Sequence, residues 1–285
     1  MSRTVSIVGA GRVGQTIARR LRSLGWRIGA VVTRSAATAR SAVRTIGAGT
    51  PHSGLTPDVL DADVVLIATP DDALAGVANR LAAMGGKKWN GKIVLHTSGA
   101  LDSGVLAQLA RRGADTGSMH PMQTFSGRNA PRLEGAIFAI EGTAPARRLA
   151  QQIARSFKAV PVVISARHKP AYHASGAIVA GHALALVESA TQMLLKSGFT
   201  RRRAFQALLP LIRQMLDNYE RLGPQAAWTG PLSRGDYATV SKHVKAMRMF
   251  PQEFREAYTA LALLSMRVLA DRPAVTKSSL KDALT

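Results

Sequence analysis

The fold is decided by the stretch Val5-Ser6-Ile7-Val8-Gly9-Ala10-Gly11-Arg12-Val13-Gly14, in which an apolar run leads into a glycine-rich turn. Residues 15–24 are predicted to form a helix, so the turn joins a strand to a helix. A G-x-G-x-x-G turn in this context is typical of dinucleotide-binding sites. Gly9 allows the tight turn, Gly11 lets the backbone approach a pyrophosphate, and Gly14 lets helix and strand pack closely. The alternative is a glycine-rich turn with a purely structural role.

The composition is that of a globular protein, with 46% hydrophobic residues in a chain of 285, enough for two domains. The absence of cysteine excludes disulfides, thiolate catalysis and cysteine-ligated metals. We identify no apolar run long enough to span a membrane. Because the first strand starts almost at Met1, we also expect no signal peptide. These features predict a cytoplasmic protein.

The formal net charge is +21, which attracts polyanions without specificity. The arginines are scattered along predicted helices, and only Arg201-Arg202-Arg203 forms a compact cluster. Aromatic residues make up 5% of the chain, so few side chains are available to stack on bases. The charge therefore favours solvated basic faces over a specific nucleic-acid site.

Strand-like and helix-like segments alternate through the first part of the chain, which predicts an α/β domain with a doubly wound parallel Rossmann sheet. The predicted strands are 5–8, 27–32, 63–68, 92–96, 116–119, 136–141 and 160–165. The intervening helices are 15–24, 36–46, 71–84, 103–111 and 146–157. We expect Asp71 or Asp72 to cap the third of these helices. This domain is assigned to residues 1–165.

From Pro170 onwards the pattern is almost wholly helical, so residues 166–285 are predicted to form an all-α domain. Its helices are 170–197, 202–223, 236–246 and 251–271, with Gly198 as a C-cap and Asp236 as an N-cap. The tail, residues 272–285, is polar and expected to be loose. The helix from Pro170 is apolar around nearly its whole circumference, and such a helix is normally buried. We therefore expect a homodimer with a mainly helical interface.

The residues at the end of the second strand distinguish the two dinucleotides. Sites for NAD place a carboxylate there for the ribose 2′-hydroxyl, whereas this chain has Thr33-Arg34-Ser35. Arg34 and the two hydroxyls can bind a 2′-phosphate by charge-assisted hydrogen bonds, and Arg12 in the turn can also reach it. The pattern favours NADP(H); the alternative is an ordinary surface arginine in a very basic protein.

Polar residues follow three successive predicted strands, where ligands bind in open parallel sheets. Thr69 and Pro70 are candidates for the nicotinamide or its ribose. Thr97 and Ser98 can bind the carboxamide or the substrate. His120 is either a substrate contact or a structural histidine that holds its loop. His96, at a buried strand end, is predicted to be structural.

A second cluster opens the helical region, where Lys169, Tyr172 and His173 share one helix face. Small residues continue that face and leave space for a ligand. Each of the three side chains can donate a proton to a carbonyl or imine as hydride arrives. The alternative is a solvated helix start, and we favour function because the two domains are expected to meet here.

A third cluster, residues 229–236, lies in a loop between helices. Arg234 can clamp a substrate carboxylate with its planar guanidinium. The alternative is that Arg234 and Asp236 only stabilise the turn. We expect no metal site, because the histidines lack the i,i+4 pairing and no His-Glu-x-x-His motif occurs.

Together these motifs resemble one family, which joins a Rossmann-like domain to a C-terminal helical domain of unknown function. It is similar to the NADP oxidoreductases akin to pyrroline-5-carboxylate reductase, ketopantoate reductase and the β-hydroxyacid dehydrogenases. The matching pieces are Gly9–Gly14, His96-Thr97-Ser98-Gly99-Ala100-Leu101, His120-Pro121-Met122-Gln123-Thr124-Phe125, Lys169 with Tyr172-His173, and Thr229-Gly230-Pro231 with Arg234-Gly235-Asp236.

The resemblance implies nucleotide binding through Gly9, Gly11, Arg12, Val13 and Gly14, and a homodimer formed through the helical domains. In the β-hydroxyacid dehydrogenases a helical lysine acts with an asparagine, and Lys169 matches the lysine. Gly181, beside His182, stands where relatives often carry the asparagine. His168 replaces an acidic residue expected before the lysine.

The sequence thus predicts an NADPH-dependent reductase of a small carbonyl or imine compound. Lys169 and Arg234 favour a substrate that carries a carboxylate. Among the candidate proton donors we expect Lys169 to act, with His173 next. The alternative, from another class, is a non-catalytic NADP-binding sensor that acts through its helical domain.

Overall fold

The computed structural model describes residues 3–126 and 130–270, together with Leu280 and Leu284. Its sheet has the strand order β3-β2-β1-β4-β5-β6-β7-β8. The strands are β1 Thr4–Val8, β2 Arg27–Thr33, β3 Thr50–Ser53, β4 Val64–Ile67, β5 Ile93–His96, β6 Asp115–Pro121, β7 Ile137–Gly142 and β8 Val160–Val163. All neighbouring strands run parallel except β6 and β7, which are antiparallel. This is the predicted Rossmann arrangement.

Helices cover both faces of the sheet, so the predicted doubly wound α/β class is confirmed. They are α1 Arg12–Ser23, α2 Ala36–Ile46, α3 Asp71–Gly85, α4 Ala107–Arg111 and α5 Ala144–Ser156. One apolar core joins α1, α2 and α5 to the sheet and includes Ile7 and Phe138. The other joins α3 and α4 to the opposite face and includes Val8 and Trp89. Ile7 and Val8 are adjacent on β1, and successive side chains of a strand point to opposite faces, so β1 contributes to both cores.

One strand and one helix cap in this part of the chain differ from the sequence expectation. The short edge strand β3 was not predicted, because its sequence Thr50-Pro51-His52-Ser53 is polar and lacks apolar alternation. The predicted aspartate cap of α3 is wrong, since Pro70 is the N-cap residue and no side chain caps the helix. The Asp71 carboxylate instead accepts a hydrogen bond from the Ser98 hydroxyl at 2.9 Å.

The described residues after β8 are mainly helical, as predicted. Its helices are α6 Lys169–Ala177, a π-helical turn Ile178–His182, α7 Ala183–Lys196, α8 Arg201–Ala227, α9 Tyr237–Ala246 and α10 Gln252–Leu269. Gly198 adopts the left-handed conformation that follows a helix end, and Asp236 caps α9 by accepting from the Thr239 N–H. Gly223 interrupts α8 with φ of 79°. The expected loose tail lies outside the described residues, apart from Leu280 and Leu284.

The chain divides into two compact units, Met1–Gly181 and His182–Thr285. The division lies within the π-helical turn, later than the predicted boundary at 165/166. In the first unit, α6 begins with the buried Lys169, which explains why its first turns group with the sheet. The second unit has its own small core, which includes Val240, Ala262 and Met266.

The helical stretch Ala166–Lys196 corrects one sequence expectation. It has 31 residues and is predominantly apolar, and few of its residues are buried. By length and composition it could cross a membrane, so the expectation that no run is long enough for this was wrong. Its exposed apolar side chains include Ile178, Val179 and Leu184. Within the described part of the chain, this helical stretch therefore presents an exposed apolar surface.

Candidate active site

The fingerprint turn has the geometry predicted for it. Gly9 has φ of +86°, and an added Cβ would lie 2.7 Å from the Thr69 backbone nitrogen, so only glycine fits there. At Gly14 a Cβ would lie 2.8 Å from the Gly9 carbonyl oxygen, which explains the close packing of α1 on β1. At Gly11 an added Cβ would meet nothing within 4 Å. The turn is therefore tight where the chain packs and open where a phosphate would approach.

The end of β2 carries no carboxylate. Arg34 is exposed, and the hydroxyls of Thr33 and Ser35 lie beside it in the short connection to α2. The Ser35 hydroxyl caps α2 by accepting from the Thr38 N–H, and the Thr33 hydroxyl lies 2.7 Å from that of Thr38. The two hydroxyls thus order the connection and leave the Arg34 guanidinium on its surface.

Next to the turn, at the end of β4, the Thr69 hydroxyl oxygen is buried and has no hydrogen-bond partner among the described residues. A buried, unpartnered hydroxyl against the glycine turn is a polar group that a bound nucleotide can satisfy. Pro70 is exposed beside it, and the half-buried Thr97 follows β5. With the open position at Gly11 and the start of α1 at Arg12 and Val13, these residues fit a dinucleotide.

Ser98 and His96 build the turn after β5. The Ser98 hydroxyl donates to Asp71 and accepts the backbone N–H groups of Ala100 and Leu101 at 3.2 and 2.9 Å. His96 is fully buried; its Nδ1 accepts the Ser98 N–H at 3.2 Å, and its Nε2 lies 3.2 Å from the Asp102 carbonyl oxygen. His96 is therefore structural, as expected. The Ser98 hydroxyl, proposed to bind ligand, is fully engaged in shaping this turn.

Lys169, the first residue of α6, is fully buried. Its Nζ donates to the Ser98 carbonyl oxygen at 3.0 Å and to the Ser118 hydroxyl at 2.7 Å. Burial lowers the pKa of Lys169, and the carboxylates of Glu141, Asp102 and Asp71 partly oppose that shift. The side chain ties the start of α6 to the turn after β5 and to the middle of β6.

His120, Tyr172 and His173 form the more accessible part of the cluster. Nδ1 of His120 lies 3.0 Å from the Tyr172 phenol oxygen. The rings of Tyr172 and His173 each meet the His120 ring edge to face, at centroid distances of 5.6 and 5.7 Å. A Cβ on Gly99 would lie 2.5 Å from His173 and 2.9 Å from His120, so glycine makes room for both imidazoles.

The electrostatics favour the neutral forms of His120, His96 and Tyr172. Burial, with the nearby His173 and Lys169, lowers the pKa of His120 to about 4. Burial, with Lys169, lowers the pKa of His96 to about 3. Burial raises the pKa of Tyr172 to about 12. At neutral pH both imidazoles are thus uncharged and the phenol keeps its proton.

Sequence reasoning missed the role of Glu141. Its carboxylate accepts the backbone N–H and the hydroxyl of Ser103 at 2.8 and 2.6 Å, and it lies opposite Ser118 in the β6–β7 pairing. That position follows from the antiparallel direction of β7, which the alternation of strands and helices did not indicate. Glu141 thereby anchors the loop after β5, and its charge partly opposes the lowering of the Lys169 pKa that burial causes.

The loop of the third predicted cluster lies in the helical unit. Asp236 stabilises the loop in two ways. Its carboxylate caps α9, and its backbone N–H donates to the Pro231 carbonyl at 2.9 Å. Hydrogen bonds from Thr239 lower the pKa of Asp236, and the charge of the exposed Arg234 adds to that shift. Beside this loop, a cavity of about 830 Å³ is lined by Trp228, Leu232 and other residues. No group of three metal-ligating side chains occurs within the described part of the chain.

The fold defines the chain as a Rossmann-like α/β protein with a helical C-terminal region. Residues 2–121 match the model of a Rossmann-like domain. Residues 136–264 match the model of a domain of unknown function, DUF2520. The chain therefore joins these two domains, as the resemblance of its motifs predicted.

Several solved structures share the fold over nearly the whole chain. A protein from Bacteroides fragilis, provisionally described as an NADP oxidoreductase, is 22% identical with a TM-score of 0.76, over 95% of this chain and 99% of the other. A reductive aminase from Aspergillus terreus, solved with NADPH and ethyl-5-oxohexanoate, is 19% identical with a TM-score of 0.69, over 94% of each chain.

A pyrroline-5-carboxylate reductase from Coxiella burnetii is 13% identical with a TM-score of 0.58, over 99% of this chain and 98% of the other. These likenesses establish the fold, and the neighbours are oxidoreductases that use NADP(H) where their cofactor is named. No curated protein matches the sequence.

Proposed function

We propose that the protein is an NADPH-dependent reductase of a small carbonyl or imine compound. The observation that supports this most is the clustering of Lys169, Tyr172 and His120 at the carboxyl ends of β5 and β6, in the same unit as the fingerprint turn. Ligands of open α/β sheets bind at that edge. When bound, reduced nicotinamide supplies hydride, and reduction then needs a proton donor beside the substrate heteroatom.

The cofactor is proposed to occupy the turn and the neighbouring strand ends. The open position at Gly11 and the free N–H groups at the start of α1 suit a pyrophosphate. Arg34, with Arg12, suits the 2′-phosphate that distinguishes NADP(H) from NAD(H). The unpartnered Thr69 hydroxyl after β4 and the half-buried Thr97 after β5 are proposed to contact the nicotinamide end of the cofactor.

The substrate is proposed to carry a carboxylate. The Lys169 ammonium gives the site a positive potential, and the exposed Arg234 of the helical unit is the proposed clamp. A homodimer formed through the exposed apolar helices, and a cytoplasmic location, complete the proposal.

Oxidation of NADPH in the presence of a panel of keto acids and imino acids tests this function. We expect at least one member to be reduced, and the same compounds without their carboxylate to be reduced more slowly. Tight binding of NADPH with no turnover of any member would favour the alternative, a non-catalytic NADP-binding sensor. No binding of NADPH in a calorimetric titration would reject both.

A further inference from the structure

We propose that Tyr172 is the residue that protonates the substrate, that His120 resupplies its proton, and that Lys169 acts as a positioning residue. This inference rests on the proposed function and names the proton path of the same site. The proton donor expected from the sequence was Lys169, with His173 next.

The surroundings of Lys169 argue for a positioning role. Its Nζ is fully buried and already donates to the Ser98 carbonyl and the Ser118 hydroxyl. Ser98 follows β5 and Ser118 lies within β6, so these bonds fix the start of α6 against the two neighbouring strands. A group that reprotonates a substrate must reach it, within about 3 Å or through one water. Tyr172 is one turn further along α6 and only half buried, so it satisfies that condition better.

The pairing of Tyr172 with His120 supplies what a lone phenol lacks. A tyrosine that gives up its proton must recover it, and Nδ1 of His120 lies 3.0 Å from the phenol oxygen. The phenol oxygen also lies 3.5 Å from the His120 carbonyl, which holds the two groups in register. The ring of the exposed His173 lies at a centroid distance of 5.7 Å from the His120 ring, and on this exposed side His120 is proposed to exchange protons with solvent.

The step balances in protons and electrons. As hydride from reduced nicotinamide forms the new C–H bond, the π electron pair of the C=O or C=N bond moves to the heteroatom. The heteroatom takes the Tyr172 phenol proton, and the phenolate takes the Nδ1 proton of His120. Nε2 of His120 takes a proton from solvent, which leaves the imidazole neutral in its other tautomer. Loss of the Nε2 proton to solvent and gain of a solvent proton at Nδ1 then restore the starting tautomer before the next turnover.

The charged and titratable groups around His120 do not stabilise an imidazolium, so a proton that reaches the ring is passed on. They are His96 on β5 and Lys169, Tyr172 and His173 on α6. None of these is an acid that would hold an imidazolium, and Lys169 opposes one. His120 therefore relays a proton while keeping its ordinary neutral state.

The first test needs no activity. In the protein without cofactor, the side-chain Nδ1 resonance of His120 is followed by NMR in the wild type and in Tyr172→Phe. We expect the resonance to shift in this variant. The matched control is Tyr258→Phe, since Tyr258 lies 2.9 Å from Nδ1 of His243 in the helical unit with the same edge-to-face geometry. It should shift His243 alone. If the His120 resonance is the same in Tyr172→Phe as in the wild type, the proposed hydrogen bond between Tyr172 and His120 is wrong.

The second test uses a substrate from the panel. Tyr172→Phe should lower kcat by about 100- to 10,000-fold with the Kd for NADPH within about twofold of wild type. His120→Ala should lower kcat, and added imidazole should restore part of it, because the lost ring leaves space beside Gly99. Tyr258→Phe should keep wild-type kcat. Full turnover by Tyr172→Phe, or no rescue of His120→Ala, overturns the relay.

The experiments distinguish failure of the proposed reductase activity from failure of the proposed proton relay. If the wild type reduces no compound of the panel, the proposed reductase fails, and proton delivery to a substrate fails with it. The NMR result would still decide whether Tyr172 and His120 share a proton. A wild-type enzyme with turnover that Tyr172→Phe leaves unchanged rejects the relay alone.

Discussion

At the scale of single residues, Arg34 carries the proposed choice of cofactor. Its guanidinium is exposed at the end of β2, where no carboxylate would repel a 2′-phosphate. We expect Arg34→Ala to weaken NADPH binding by about tenfold, as for the loss of one charge-assisted contact, and to leave NADH binding unchanged.

Calorimetric titration of both nucleotides measures this effect. Arg40→Ala, an exposed arginine further along α2, is the matched control because it removes the same charge. Equal affinities of the wild type for NADPH and NADH, or equal losses in the two variants, would contradict the assignment.

His96 makes the stability of the fold depend on acid. Its pKa is lowered to about 3 in the native state, whereas a histidine in the unfolded chain titrates at 6.5. Below pH 6.5 the histidine binds a proton in the unfolded state but stays neutral in the native state. The free energy of unfolding therefore falls as the pH drops towards 3. For His96 the loss amounts to about 2 kcal/mol at pH 5.

Urea unfolding at pH 7 and pH 5 measures that loss, to which His120 also contributes. We expect His96→Gln to show about 2 kcal/mol less destabilisation between the two pH values than the wild type. His182→Gln, at an exposed histidine, should keep the wild-type difference. An unchanged pH difference in His96→Gln would show that His96 is not buried in its neutral form.

At the scale of elements, the turn between β1 and α1 separates folding from binding. Gly11 has φ of −75° and open space around it, so Gly11→Ala should fold with a stability within about 0.5 kcal/mol of wild type. The added methyl group would stand where the pyrophosphate approaches, and we expect NADPH binding to weaken by about tenfold or more.

Gly9→Ala provides the contrast within the same turn. With φ of +86° and Thr69 at 2.7 Å, this variant should lose about 1–3 kcal/mol of stability. Thermal unfolding and calorimetry of both variants test the pair. Wild-type binding by Gly11→Ala would reject the turn as the phosphate site.

At the scale of the whole molecule, the uncovered helical surface predicts association. Val179 is 76% exposed and Leu184 68% exposed on the apolar stretch from Ala166 to Lys196. Patches of this kind mark interfaces in proteins that stay in solution. We expect a homodimer at micromolar concentration, and we expect Val179→Glu to shift it towards monomers.

Light scattering measures the mass of the wild type and of Val179→Glu. Leu24→Glu, which places the same charge at an exposed leucine after α1, is the control and should remain dimeric. A monomeric wild type would contradict the prediction. Sedimentation of the wild type with phospholipid vesicles would show instead that the apolar helix meets lipid.

Local patterns in the sequence determined most of the elements. The apolar run before Gly9 and the spacing of the three glycines predicted the β1–turn–α1 unit, because backbone conformation and packing at a tight turn depend on neighbouring residues. The alternation of strands and helices likewise predicted the doubly wound sheet, and the later helical run predicted α6 to α10. Strand β3 was not predicted, because a strand at the edge of a sheet needs no alternation of apolar residues.

Only the tertiary structure decided which of the candidate residues meet. His120 and Tyr172 are 52 residues apart in sequence, and their hydrogen bond depends on where α6 begins over the ends of β5 and β6. The burial of Lys169 and the position of Glu141 beside Ser118 depend on the antiparallel direction of β7 and on long-range packing. Periodicity within a segment carries no information about its partners, so the sequence predicted the residue types of the site, and the folded chain determined their contacts and charges.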